Sequence, residues 1–281
     1  MNSFLKFLLY LKESVRLINI ISKGVYRAAS REKLMYGFLI LSIFFVYLAG
    51  IAFILPSAFQ QLKEFGNFTP LENSLSIGIT WINIFLMLIS IFVTLTVLQE
   101  FLSKENLGML LSKPIQRWHI IEGIFWGIFK ILLLNCFIMS ASLWLVIYYL
   151  GGRIVNYIWL ATAVTLFLSM VYTSLVIFFF VLIPNAISGI LAFFVIIAGF
   201  GASLIEEGKD IFINFPVWFS RLVNLGIQIL PKINFLLKIS MKSLKLFAIE
   251  YINIPAVIHH TVLFLACIHI LFCLKFSLSK K

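Results

Sequence analysis

Six runs of apolar residues, each at least 20 long, divide this 281-residue chain: Leu34–Leu55, Ile77–Leu98, Ile124–Leu150, Tyr157–Ile183, Ala186–Ile205 and Ala256–Phe276. About 20 residues of helix cross the hydrocarbon core of a bilayer. Lipid offers nothing to hydrogen-bond an unpaired peptide group, so such runs are confined to helices. Composition agrees: 62% of the residues are hydrophobic and 12% charged, where soluble domains carry about a quarter charged residues. The expected fold class is an all-α membrane protein, with six transmembrane helices in one domain covering 1–281.

The segments between the runs carry the polar chemistry. At about 100° per residue, Lys12, Arg16, Asn19, Lys23, Arg27 and Ser30 share one face of residues 1–33, and Leu11, Val15, Ile18, Ile21 and Val25 lie opposite. That pattern predicts an amphipathic interfacial helix, its basic stripe toward anionic headgroups and its apolar stripe in the acyl boundary. The short apolar patch at its start is broken by Lys6 and lacks a small-residue cleavage site, so no signal peptide is expected. Pro56 closes the first span, and GGRIVN and Pro184-Asn185 mark tight turns. Residues 206–255 read as amphipathic outer-leaflet segments: beyond Pro231, Asn234, Lys238, Lys242 and Lys245 share a face. Further spans there would bury lysines at roughly 2.5–3.5 kcal/mol each.

Lys and Arg near the span ends set the orientation. With the N-terminus inside, the cytoplasmic side holds Lys6, Lys12, Arg16, Lys23, Arg27, Arg31, Lys33, Lys104, Lys113, Arg117, Lys275, Lys280 and Lys281, against Lys63 and Arg153 in the short outer loops and Lys209, Arg221, Lys232, Lys238, Lys242 and Lys245 in the long outer segment, where the rule is weaker. The expectation is a multi-pass protein of the cell (inner or cytoplasmic) membrane with both termini cytoplasmic. A net charge of +11 would suit nucleic acid, but the basic residues are spread over short connections and amphipathic stretches. Membrane lipids are the expected partner, and no nucleic acid is.

Candidate catalytic and metal groups are sparse. Cys136, Cys267 and Cys273 fall inside apolar runs and read as small hydrophobes. The last span holds His259, His260, Cys267, His269 and Cys273, but on a helix these divide between opposite faces and do not converge on one ion. Lys130 is the clearest charge inside a span and is expected to snorkel toward the headgroups. Gly123 and Gly127 form a small-residue pair that permits close helix approach. No span holds a carboxylate at its midplane, as an ion-coupled transporter would need, and no nucleotide-binding loop is present. Any energy source is expected outside the chain.

Between the second and third spans, residues 99–123 include QEFLSKENLGMLLSKPIQRWHIIEG. Pro114 disfavours helix at Lys113, so a short helix ending there would make a compact knob, with Met109, Leu110 and Leu111 as apolar anchors amid Glu105, Lys113 and Arg117. Trp118 suits a membrane-interface anchor that fixes the depth of the third span. By composition alone, a plain membrane-surface loop and a docking knob fit equally. The string is similar to the cytoplasmic loop of permease subunits of ABC-2 type transporters, on Glu100, Glu105, Leu110, Leu111, Ser112, Pro114, Ile115 and Arg117, with Gly123 near the family's usual glycine. The chain resembles that family throughout, in its basic first helix, six spans and Pro-centred outer string ILPKINF. The Gly-Thr often found after the acidic stretch is absent, with Glu105-Asn106-Leu107 there instead; Glu122 precedes Gly123, and Ile124 stands where a lysine is frequent. Within the family, length and SKPIQRW look most similar to permeases associated with maturation of copper enzymes.

The resemblance implies a dimeric permease, of two copies or of one with a homologous permease, working with soluble ABC ATPase subunits. It assigns docking to Glu100, Glu105, Leu110, Leu111, Lys113, Pro114 and Arg117. ATP and magnesium would be held by the partner, with no cofactor, metal or catalytic residue in this chain, and transport would be export of an unidentified substrate. Two alternatives are a membrane-embedded enzyme, which needs polar residues convergent at one depth, and a non-transporting scaffold or immunity protein.

Overall fold

The computed structural model describes residues 2–31, 33–51, 70–102, 116–151, 155, 158–183, 187–207 and 254–278. These form seven helices with no strand among the described residues: α1 (Asn2–Ala29), α2 (Lys33–Ile51), α3 (Pro70–Phe101), α4 (Arg117–Gly151), α5 (Ile158–Leu182), α6 (Ile187–Glu207) and α7 (Ile254–Leu278). Three are long and apolar enough to cross a membrane, over Leu75–Phe101, Trp118–Tyr149 and Ile158–Leu182. Shorter apolar stretches lie in α2, α6 and α7, at Met35–Ala49, Ile187–Gly199 and Ile258–Leu271.

Those three long helices are also the centre of the bundle. α3, α4 and α5 pack on one another, α2 lies against α3 and α4, α6 against α5 and α3, and α7 against α5 and α4. A helix apolar all round has no side to turn to water, so it suits a central position with lipid or protein on every face. Ile79, Ile82, Leu86 and Ile89 of α3 are buried with Ile120, Ile124 and Ile128 of α4. The outer faces of α2 and α6 stay apolar, with Ile40, Phe44, Ile190 and Phe194 each more than half exposed. In lipid such exposure is the favourable arrangement.

Two helices begin earlier than the apolar runs suggest. α3 starts at Pro70, whose missing N–H costs nothing in a first helical turn, and so includes the polar stretch LENSLS. α4 starts at Arg117 rather than at Ile124, because α1 packs alongside its first turns and shields them. At about 1.5 Å per residue, its 35 residues run about 52 Å, well beyond the roughly 30 Å of hydrocarbon. α4 is therefore longer than a straight crossing needs, and α1 packs along its first turns.

The packing of α1 also differs from the amphipathic expectation. Ile21 and Val25, expected to face acyl chains, are buried at 7% and 0% exposure. They sit on Gly123 and Gly127: a Cβ built on Gly123 would lie 2.5 Å from Ile21 Cγ2, and one on Gly127 2.5 Å from Val25 Cβ. The two small residues let the backbones approach, as small-residue pairs do in membrane helix packing. Both pairs are spaced by four, so α1 runs in the same direction as α4 over this contact. Lys12, Arg16, Lys23 and Arg27 lie on the opposite side of α1, exposed.

Candidate functional site

The predicted docking loop meets the described residues only at its stems. Glu105, Leu110, Leu111, Lys113 and Pro114 lie outside them. Glu100 is exposed in the last turn of α3, and Arg117 is the first residue of α4. Around these stems the contacts are specific. Gln116 Oε1 accepts hydrogen bonds from the Trp118 indole at 2.6 Å and from the Tyr10 hydroxyl of α1 at 2.9 Å. Trp118 stacks on buried His119, with ring centroids 3.8 Å apart. Gly24 of α1 faces the Phe101 ring at the end of α3. α1 thus touches the chain on both sides of residues 103–115.

Lys130 is exposed, and its ammonium donates to Asn19 Oδ1 of α1 at 3.2 Å. Asn19 lies earlier in α1 than Val25, which meets α4 at Gly127. The long stem therefore runs back toward the start of α4, the direction a side chain leans on a helix and the one snorkelling requires.

A second polar site joins three helices. Glu122 lies in the second turn of α4, inside its apolar span. Its Oε1 is 2.8 Å from His269 Nδ1 on α7, and His269 Nε2 is 3.2 Å from Ser174 Oγ on α5. The Phe125 ring meets the imidazole edge to face, at 4.6 Å between centroids. Ser174 is fully buried, and the His269 and Glu122 side chains are 20% and 18% exposed. Residue order did not signal this group, because its members are 147 and 95 positions apart. Sequence reasoning left Glu122 just outside the third span. The helix carries it inward, and His269 is the last-span histidine that α7 turns toward α4 and α5.

α5 supplies hydroxyls to each of its long neighbours. Thr173 pairs with Ser90 of α3 at 2.9 Å, and Thr162 donates to Ser140 of α4 at 2.8 Å. Cys136 of α4 lies 3.8 Å from Thr165, so α4 and α5 run antiparallel. Cys267 and His259 are exposed on α7, and His260 is half-buried. Among the described residues no three His, Cys, Asp or Glu side chains form a metal-holding group.

Asn135 and Asn83 add two buried amides to the interior. Each amide donates to its own helix, Asn135 to Ile131 O at 2.9 Å and Asn83 to Ile79 O at 3.2 Å, and each Oδ1 has no protein partner. Gly78 packs against Leu143, and Phe101 and Gly127 both meet α1 at Gly24 and Val25, so α3 and α4 are antiparallel and the two amides lie at about the same depth, within roughly 5 Å. A buried acceptor left unpaired costs about 1–3 kcal/mol. Asn135→Leu, of similar volume, is expected to raise the apparent melting temperature of the purified protein by about 2–6 °C. An unchanged or lower value in a thermal-shift assay would mean that the oxygen is satisfied, for instance by water. No family model, curated protein or solved structure matches the chain.

Proposed function

We propose that this chain is the permease subunit of an ATP-driven ABC transporter, with six spans and both termini cytoplasmic, working as a dimer with soluble ATPase subunits. The reading rests on the sequence of residues 100–119. The structural observation that supports it is the bracing of that loop's stems by α1. Tyr10 holds Gln116 on one side, Gly24 faces Phe101 on the other, and Ile21 and Val25 lock α1 to Gly123 and Gly127 just beyond. A force applied to residues 103–115 would act on a joined α1–α4 unit rather than on a loose tether, which is what a rigid-body transition needs. The Glu105 and Arg117 charges would guide the ATPase into register, and Met109 to Leu111 would fill a groove on it.

The test asks first whether a reading frame beside this one encodes a soluble Walker-motif ATPase, and then reconstitutes that protein with this chain. ATP hydrolysis by that partner is expected to rise when the wild-type chain is present in liposomes. Reversing both charges, Glu105→Arg with Arg117→Glu, is expected to abolish co-purification and that stimulation. Co-purification and stimulation unchanged by the reversal would overturn the assignment of the loop.

A membrane-embedded hydrolase is the second reading, and the Ser174–His269–Glu122 row favours it, having the order of nucleophile, base and orienting acid. Against it, Ser174 Oγ is fully buried within α5. Labelling by a fluorophosphonate that disappears in Ser174→Ala would decide for the hydrolase.

A further inference from the structure

Among the described helices, α7 packs chiefly on two, α5 and α4. Its inward surface is narrow: Thr261 and Ile268 are buried, while Ile258, Val262, Leu263, Ile270 and Leu271 face outward. Apolar contact does little to hold such a helix in one place, because lipid tails solvate the same surface equally well. Directional bonds are what distinguish one depth and rotation from the next.

We infer that Glu122, His269 and Ser174 form a three-point polar latch that sets the position of α7 against α4 and α5. An ionised carboxylate only accepts, so the imidazole carries its hydrogen on Nδ1 and donates to Glu122. In the neutral ring, Nε2 is then the acceptor for the Ser174 hydroxyl. Two bonds from opposite edges of one ring fix its plane, and Phe125 closes a face. Sliding α7 by one turn, about 5.4 Å, would break both bonds and strand a carboxylate and an imidazole among apolar side chains. Helix bundles in lipid have few other penalties of that kind. The latch does not depend on the transport reading. If both hold, it is the joint through which motion of α4 reaches α7.

The test uses the full chain in detergent and needs no ATPase. Cys267 lies two residues from His269 on the exposed side of α7, so with Cys136 and Cys273 replaced by serine it can carry a nitroxide reporting on that helix. Glu122→Ala and His269→Ala are each expected to lower the apparent melting temperature by about 2–6 °C and to increase label mobility. The double variant should lose little more than the worse single one. Glu122→Gln keeps the acceptor and should stay near the parent, and Ser174→Ala should fall between. Failure of Glu122→Ala to yield folded protein, with normal yield of Glu122→Gln, would support the same ordering. Additive losses in the double variant, or Glu122→Gln as damaging as Glu122→Ala, would overturn the latch and leave the transport reading untouched.

Discussion

Adding one methyl group at Gly127 is expected to lower the apparent melting temperature of the purified protein by about 3–10 °C and to loosen α1 from the bundle. The new Cβ would lie 2.5 Å from both Val25 Cβ and Val25 Cγ1 and 3.0 Å from the Ser22 carbonyl oxygen. Valine cannot swing away, because its branch sits on Cβ and one χ1 rotamer dominates in a helix. Relief therefore requires the α1 backbone to move, which separates Ile21 from Gly123 as well. Overpacking of this sort costs about 1–3 kcal/mol, and a larger residue such as leucine costs more. Gly37→Ala is the control, since nothing lies within 4 Å of a Cβ built there. Alanine is the better helix former by about 0.8–1 kcal/mol, so that variant should be neutral or slightly more stable. Gly189→Ala should fall between, because the atoms it meets belong to the flexible end of Leu95. Limited proteolysis in the 1–31 region alongside a thermal-shift assay separates release of α1 from general unfolding. Equal behaviour of Gly127→Ala and Gly37→Ala would show that α1 is not held by this contact.

How much of this was legible beforehand depends on the kind of signal. Apolar runs announce helices through the physics of lipid, and all three long candidate spans fall on runs read from composition. Helix ends were less legible. Glu122-Gly123 breaks the apolar pattern at the start of α4, yet the helix continues back to Arg117 because another helix covers that stretch. A one-dimensional hydropathy reading cannot distinguish a turn facing water from one facing α1. The same limit applied to Ile21 and Val25, whose apolar stripe is equally suited to lipid and to a pair of glycines. Gly123 and Gly127 were visible as a small-residue pair, but what they received was not. The Glu122–His269–Ser174 row was the least legible, since it depends on the mutual rotation of three helices. Whether a helical histidine faces a partner is decided by packing, and α7 offers four other candidate His and Cys side chains besides the one at 269.

Ser169→Leu is expected to prevent accumulation of folded protein, whereas Ser169→Ala and Thr173→Val should each cost only a few degrees in melting temperature. The contrast follows from what hydroxyl residues do along α5. Thr165, Ser169, Thr173 and Ser174 are all buried at 1% exposure or less, on the central helix that contacts α3, α4, α6 and α7. Their hydroxyls are largely satisfied within the helix itself: Ser169 donates to Leu166 O at 2.7 Å and Thr173 to Ser169 O at 2.9 Å. Losing one therefore leaves few groups orphaned. The bond from Thr173 to Ser90 is of the interhelical kind measured at about 0.6 kcal/mol on average in membrane proteins, and the Ser90 hydroxyl can turn back to its own helix. Size is the stricter demand. With no lipid-driven hydrophobic force between helices, close contact over small side chains supplies the attraction, and a leucine at the fully buried position 169 would push its neighbours apart. Cell-surface yield and monodispersity by fluorescence-detected size exclusion distinguish the two cases. If Ser169→Leu were tolerated while Thr173→Val was not, polarity rather than close approach would be what α5 contributes to the bundle.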